Sequence, residues 1–422
     1  MINVSRLYCG AASASDGPRY GQGGEGPSVL SAAERRPVVV WNTTRTCNLR
    51  CLHCYSDSAA ERYPGELTTS EGKAVIRDLA AFRVPAILFS GGEPLLRRDL
   101  FALVADARRL GLRPTLSTNG TRITGEVARR IREAGFTYVG ISLDGIGEVH
   151  DYFRGVRGAF GRTVRGFRHC VMAGLRAGLR LTLTRHTAAD LHRIFDFIEA
   201  ERVNRACFYH LVATGRGRSL AGDDLSPEET RAALDIVLER TADFTRRGLP
   251  KEILTVDNDA DGVYIYLKLL KADAGRAAEV LRLLEWNGGG LYSSGVGIGA
   301  IDWVGDVHAD QFWTHYSFGN VKRRPFSQIW LDTADPLMAG LKDRRSRITG
   351  RCRACKFFSA CGGALRVRAD LAHGDPWAPD PACYLTDAEI GLPGPAGVAA
   401  QDRLPTAGPA ATPPGAEENH VR

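Results

Sequence analysis

Thr46-Cys47-Asn48-Leu49-Arg50-Cys51-Leu52-His53-Cys54-Tyr55 sets three cysteines in a C-x3-C-x2-C spacing, directly after the β-rich run Pro37-Val38-Val39-Val40-Trp41-Asn42. Three thiolates can hold three irons of a 4Fe–4S cluster and leave the fourth iron open to another ligand. The same stretch also admits zinc, with His53 as a fourth ligand. The surrounding sequence decides between the two.

Working outward, β-rich runs alternate with helical ones. Ala86–Ser90, Arg113–Ser117, Tyr138–Leu143, Leu179–Thr184 and Ala206–Leu211 read as strands, making six with the first. Helices are expected over 68–82, where Thr68 and Glu71 form a capping pair, and over 99–110, 126–134, 160–173 and 190–201. Such alternation gives a parallel sheet with right-handed crossovers. Six units are too few for a closed eight-stranded barrel, so an open, partial (β/α)6 barrel is expected. Beyond it, helices are expected from Ser226 to Gly248 and over 262–286, then a hairpin over 296–312 turning at Gly305-Asp306.

Polar segments follow successive strands. Ser90-Gly91-Gly92-Glu93-Pro94 comes after the second, Ser117-Thr118-Asn119-Gly120 after the third, and Ser142-Leu143-Asp144-Gly145 with His150-Asp151-Tyr152-Phe153-Arg154 after the fourth. Each alone is an ordinary turn signal. Together they sit at the C-terminal strand ends, where parallel barrels bind ligands. The cysteine spacing, Tyr55 and these segments resemble the radical SAM superfamily, whose open iron binds S-adenosylmethionine (SAM). The resemblance implies that Cys47, Cys51 and Cys54 hold that cluster. It also implies that Gly91, Gly92, Glu93, Ser117, Asn119, Ser142, Asp144 and Arg154 contact SAM. The run Gly295-Val296-Gly297-Ile298-Gly299 lacks the third spaced glycine and following helix of a dinucleotide site.

A second group, Cys352, Cys355, Cys361 and Cys383, supplies four thiolates. Four ligands suit a closed 4Fe–4S cluster that moves electrons, and they suit structural zinc as well. The group resembles the SPASM and twitch auxiliary-cluster domains of radical SAM enzymes, which implies a second cluster. Cys9, Cys170 and Cys207 stand apart and read as small apolar residues.

Further stretches are similar to the NirJ family of haem d1 biosynthesis. They include Asn258-Asp259-Ala260-Asp261-Gly262-Val263-Tyr264, Gly305-Asp306-Val307-His308, Cys361-Gly362-Gly363 and Gly374-Asp375-Pro376-Trp377 onward to Cys383-Tyr384-Leu385. That resemblance spans roughly residues 37–391. It implies removal of two propionate side chains from didecarboxysiroheme through a 5′-deoxyadenosyl radical, with ferredoxin or flavodoxin as electron donor. Related haem-pathway decarboxylases share much of the pattern. Ala309 and the pair Ala364-Leu365 depart from it, and both departures could touch the substrate. His308 is either a haem contact or packed in the hairpin; Arg366 and Arg368 are either carboxylate partners or surface charges. Peptide modification and a non-catalytic iron–sulfur carrier are the competing readings. The first lacks a convincing peptide-recognition segment within residues 1–36, and the second leaves the polar strand ends unexplained.

Composition is ordinary for a soluble globular protein. The 422 residues carry a net charge of +7, 44% hydrophobic and 24% charged side chains. No apolar run approaches the roughly 20 residues needed to cross a bilayer, and no secretory signal is seen. No dense basic run with interleaved aromatics points to nucleic acid. A cytoplasmic enzyme acting on an acidic small molecule is expected. The expected organisation is a disordered segment over 1–36, the barrel over 37–250, a helical connector over 251–295, the auxiliary-cluster domain over 296–390 and a disordered Pro/Gly/Ala-rich tail over 391–422.

Overall fold

The computed structural model describes residues 1–13, 16–21, 32 and 34–393. Ten strands form one sheet: β1 (Ile2–Asn3), β2 (Val38–Asn42), β3 (Ile87–Ser90), β4 (Pro114–Thr118), β5 (Tyr138–Ser142), β6 (Ala177–Leu183), β7 (Arg205–His210), β8 (Glu252–Val256), β9 (Ile298–Ile301) and β10 (Val307–His308). Their spatial order is β1-β8-β7-β6-β5-β4-β3-β2-β9-β10. Strands β2 to β8 are parallel throughout. The sheet stays open, with six helical crossovers between β2 and β8, and the six expected strands are β2 to β7.

Alternation along each strand sets the two faces. Val39, Trp41, Phe89, Leu116, Val139, Ile141, Leu179, Leu181 and Phe208 enter the main core beneath the helices. The residues between them face the barrel interior. Paired registers carry this face around the sheet: Asn42 beside Ser90, Ser117 beside Gly140, Ser142 beside Arg180, Thr182 beside Tyr209, and Tyr209 beside Val256. The interior is therefore polar along much of its length, as suits a ligand chamber.

Helix Thr69–Ala81 begins as expected. Thr68 Oγ1 accepts the Glu71 N–H, and the Glu71 carboxylate accepts the Thr68 N–H at 2.8 Å. Val75, Ile76 and Leu79 bury its inner face. Helix Pro227–Arg246 uses the same device at Ser226 and Glu229.

Three expectations change. The opening residues are ordered in part: Ile2 and Asn3 pair antiparallel with Thr255 and Leu254, and helix Val4–Leu7 follows. The connector over 251–295 is not wholly helical, because Glu252–Val256 forms β8, a seventh parallel strand after β7. The hairpin of β9 and β10 forms with its turn at Gly305-Asp306, yet β9 also pairs parallel with β2 and so extends the barrel sheet. The expected tail disorder from residue 394 onward lies outside the described residues.

Candidate active site

The three-cysteine loop follows β2 and lies against the Ser90–Pro94 segment. The backbone N–H groups of Gly92 and Glu93 donate to the carbonyls of Thr44 and Thr46 at 2.7 and 2.9 Å. A Cβ at residue 91 would meet Thr44 O at 2.3 Å, and one at residue 92 would meet Thr46 O at 2.3 Å. Gly91 also has φ +133°, a conformation open essentially to glycine. These two glycines let the backbone of the cysteine loop seat closely.

Glu93 is wholly buried. Its carboxylate accepts from the Leu95 N–H at 3.1 Å, the Thr118 hydroxyl at 2.8 Å and the Asn119 N–H at 2.8 Å. Burial pushes its acid strength down, against these donors. Asn119 in turn donates to Asn48 Oδ1 at 3.0 Å and points its amide at Cys47 Sγ, 3.9 Å away. Glu93 and Asn119 thus fasten the ends of β3 and β4 to the loop.

Asp144 and Arg154 form a buried ion pair at 2.5 Å. Arg154 also donates to Cys51 Sγ at 3.5 Å, and Asp144 accepts the Thr182 N–H at 2.7 Å. Burial alone would push the Asp144 carboxyl up, but Arg154 and His53 hold it below its ordinary value. Ser117 accepts from Arg180 at 2.8 Å, and Ser142 lies beside Arg180 on the interior face. The structure therefore gathers Glu93, Asn119, Asp144 and Arg154 around the cysteine loop, and sets Ser117 and Ser142 in the chamber wall.

The donor set fits a cluster. Cys47 and Cys51 are buried, and burial pushes the Cys47 thiol up to about 12. Such a thiol ionises readily only when a metal takes the place of its proton. N–H groups face the sulfurs, from Leu49 to Cys47 and from Ser58 to Cys54, each at 3.4 Å. His53 turns toward Asp144 at 3.4 Å and packs on Phe153, and burial lowers its pKa to about 4. A single zinc draws its thiolates close, at about 2.3 Å from the metal. Among the described residues no three Cys, His, Asp or Glu side chains are grouped for one metal ion. A cubane instead takes each thiolate on a separate iron.

Several contributors escaped the sequence reading. Arg216 clamps the loop, donating to Cys51 O at 2.9 Å and Ser58 O at 2.8 Å. Phe312 covers Tyr55 edge-on at 5.6 Å, and the Tyr55 hydroxyl donates to Asn42 Oδ1 at 2.9 Å. Nothing in the local sequence marks Arg216 or Phe312; only the fold brings them there.

Cys352, Cys355, Cys361 and Cys383 line one cavity, together with Ala260, Val263 and Ala364. Arg351 donates to Cys383 Sγ at 3.1 Å, and the Phe357 N–H donates to Cys355 Sγ at 3.4 Å. Two stretches that carried the family resemblance meet beside this cavity. Asn258 donates to Ala382 O at 2.9 Å, and Asp261 accepts from Tyr384 at 2.8 Å and pairs with His210 at 2.9 Å. The departure at Ala364 thus faces the four thiols. Arg366 and Arg368 are buried and engaged, Arg366 with the carbonyls of Pro376 and Ala378 and Arg368 with Asp380 at 2.9 Å, so neither is a surface charge or a free carboxylate partner. His308 is packed in the hairpin, bonded through Nδ1 to Tyr316 O at 2.7 Å.

Asp257, just after β8, has φ +68° and a buried carboxylate oxygen with no hydrogen-bond partner among the described residues. Burial raises its pKa to about 7, against the pull of Arg368, while Asp310 adds to the rise. The folded chain thus holds a proton there that the unfolded chain, titrating near 3.9, has already lost. Stability from this group is complete below about pH 4 and is lost as pH rises toward 7. Asp257→Asn is expected to flatten that decline in pH-dependent denaturation; an unchanged slope between pH 4 and 7 would contradict it.

A family model described as "Radical SAM superfamily" matches residues 41–198, a span that begins before the cysteine loop and includes every strand-end segment described above. Fe-coproporphyrin III synthase of Methanosarcina barkeri is 52% identical over 397 residues, covering 93% of this chain and 99% of that relative. The chain belongs to the radical SAM superfamily. As such it is an enzyme that uses a 4Fe–4S cluster and SAM. This radical SAM enzyme is also 46% identical to pre-heme d1 synthase of Dinoroseobacter shibae, over 86% of this chain and 90% of that relative. Its fold matches SuiB of Streptococcus suis in complex with the precursor peptide SuiA, with TM-score 0.64 at 17% identity over 84% of this chain and 77% of that one. Among the described residues no helix is long and apolar enough to cross a membrane.

Proposed function

We propose that this radical SAM enzyme removes acidic side chains from an iron tetrapyrrole, with didecarboxysiroheme as substrate. The observation that carries the reading is the near full-length identity to two tetrapyrrole synthases, at 52% and 46%. Two products follow from those relatives. The sequence reading favours loss of two propionates toward haem d1. The higher identity and 99% coverage of the first relative favour Fe-coproporphyrin III.

Cys47, Cys51 and Cys54 would hold the SAM-binding cluster, and Cys352, Cys355, Cys361 and Cys383 an auxiliary one within residues 296–390. The cluster with SAM bound supplies a 5′-deoxyadenosyl radical upon one-electron reduction. The chain's own residues place and shield the reacting groups. Gly91, Gly92, Glu93 and Asn119 fix the loop that carries the ligands, while Asp144 and Arg154 position Cys51. Ser117 and Ser142 remain available at the chamber wall for SAM. Phe312, tied through its carbonyl to Thr214 Oγ1 at 3.3 Å, closes over Tyr55 and keeps water from the loop. A cytoplasmic setting with ferredoxin or flavodoxin as reductant completes the reading.

The test is anaerobic reconstitution with SAM, reductant and didecarboxysiroheme, followed by mass analysis of the tetrapyrrole. Fe-coproporphyrin III in step with 5′-deoxyadenosine identifies one product, and loss of both propionates the other. 5′-Deoxyadenosine with an unaltered tetrapyrrole would sink the reading. Cys383→Ala is expected to retain uncoupled SAM cleavage while tetrapyrrole turnover falls at least about tenfold, because the second site serves electron transfer rather than SAM. Undiminished product from that variant would rule out an essential auxiliary cluster.

A further inference from the structure

We infer that Arg180 anchors the carboxylate of a bound small molecule inside the barrel. Leu179, Leu181 and Leu183 of β6 face the helices, so Arg180 between them faces the chamber. Its register partners are Ser142 on β5 and Cys207 on β7. The guanidinium lies across Gly140: a Cβ there would fall 2.3 Å from Arg180 Nε. Glycine at that position on the neighbouring strand is what lets the side chain lie flat against the wall.

What it finds there is incomplete. One nitrogen donates to Ser117 Oγ at 2.8 Å, and among the described residues Nε has no hydrogen-bond partner and no carboxylate pairs with the guanidinium. Other interior arginines carry a carboxylate or several carbonyls on their terminal nitrogens, although Nε of Arg154 and Arg344 is likewise unpartnered among the described residues. Arg154 has Asp144, Arg368 has Asp380, and Arg344 donates to the carbonyls of Gly362, Ala364 and Ser294. Arg180 is half-buried, and even a partly enclosed cation without a counterion costs stability that a ligand's charge would return. The planar fork of arginine matches a carboxylate through two parallel N–H···O bonds. Ser117 holds one terminal nitrogen of that fork and Nε is buried over Gly140, which leaves the other terminal nitrogen for the ligand.

Two molecules could bring the carboxylate: SAM, through its amino-acid end, or the tetrapyrrole, through an acidic side chain. The second source rests on the proposed function; the first needs only the family. Arg180→Met and Arg180→Lys test the site in chains with both iron sites loaded. SAM binding is read by calorimetry and didecarboxysiroheme binding by absorbance, with thermal melts of the ligand-free proteins alongside. Arg180→Met is expected to bind one of the two ligands about ten- to a hundredfold more weakly, with part of the affinity regained in Arg180→Lys. Without ligand, Arg180→Met is expected to melt higher than the wild type, because it no longer encloses an unpaired cation. Weakening confined to SAM assigns the carboxylate to SAM, and weakening confined to the tetrapyrrole assigns it to the substrate. Unchanged affinity for both overturns the proposal. A lower melting temperature also overturns it, since Arg180 would then be a strut of the fold. A wild-type chain that binds SAM but no tetrapyrrole would refute the substrate reading and leave the SAM arm standing.

Discussion

Cys47→Ala is expected to abolish reductive SAM cleavage and to lower bound iron by roughly half, as one of two cysteine sites loses a ligand. The effect should be complete because no substitute donor stands ready. Glu93 is saturated by Leu95, Thr118 and Asn119, His53 is turned to Asp144, and Asn119 presents an amide nitrogen rather than an acceptor to the sulfur. The fold should survive, since Cys47 contributes little core volume beside Leu49 and Ala159. Chromatography of 5′-deoxyadenosine with parallel iron analysis checks both parts. Cleavage at the wild-type rate would mean that another residue completes the site.

Arg154→Met should destabilise the folded chain by about 3–5 kcal/mol, because it leaves Asp144 as a buried charge without its partner. The double variant Asp144→Asn with Arg154→Met should recover much of the loss, since neither charge then needs compensation. Chemical denaturation of the iron-free proteins measures the difference, and equal stability of single and double variants would deny the pair this role. The pH dependence has a fixed sign. Asp144 is held below its ordinary value, so its contribution is complete above about pH 4 and vanishes as pH falls through the lower folded value. The single variant should also loosen Cys51, whose sulfur loses the Arg154 donor.

The parallel strands β2 to β7 and both cysteine groups were legible because their signals are local: β-rich runs, capping pairs and fixed spacings. The residues around the cysteine loop are legible as a set from their motif positions, and their bonds to one another are not. Motif position marks Glu93, Asp144 and Arg154 as candidate SAM contacts. The structure adds that they also bond to backbone, to one another and to a thiol, which only the third dimension shows. Strand β8 was passed over although Pro250 and the run Glu252-Ile253-Leu254-Thr255-Val256 mark a strand start, because the helical stretch beyond dominated that region. Pairings across long separations were invisible altogether, as with Arg216 on the cysteine loop or Arg180 opposite Gly140. No local pattern encodes which distant element a side chain will meet.

Strand β9 lies beside β2 although some 260 residues of chain separate them. Both flanks of β2, and with them the base of the cysteine loop, are therefore filled only after residue 301 has been synthesised. Until then a growing chain presents the β2 edge and three reactive thiols to its surroundings. Closing so large a loop is slow, and exposed edges of partly made sheets invite association between chains. Yield of the iron-loaded protein should thus depend on the pace of translation and on when iron–sulfur assembly factors arrive, more than on the thermodynamic strength of the finished fold.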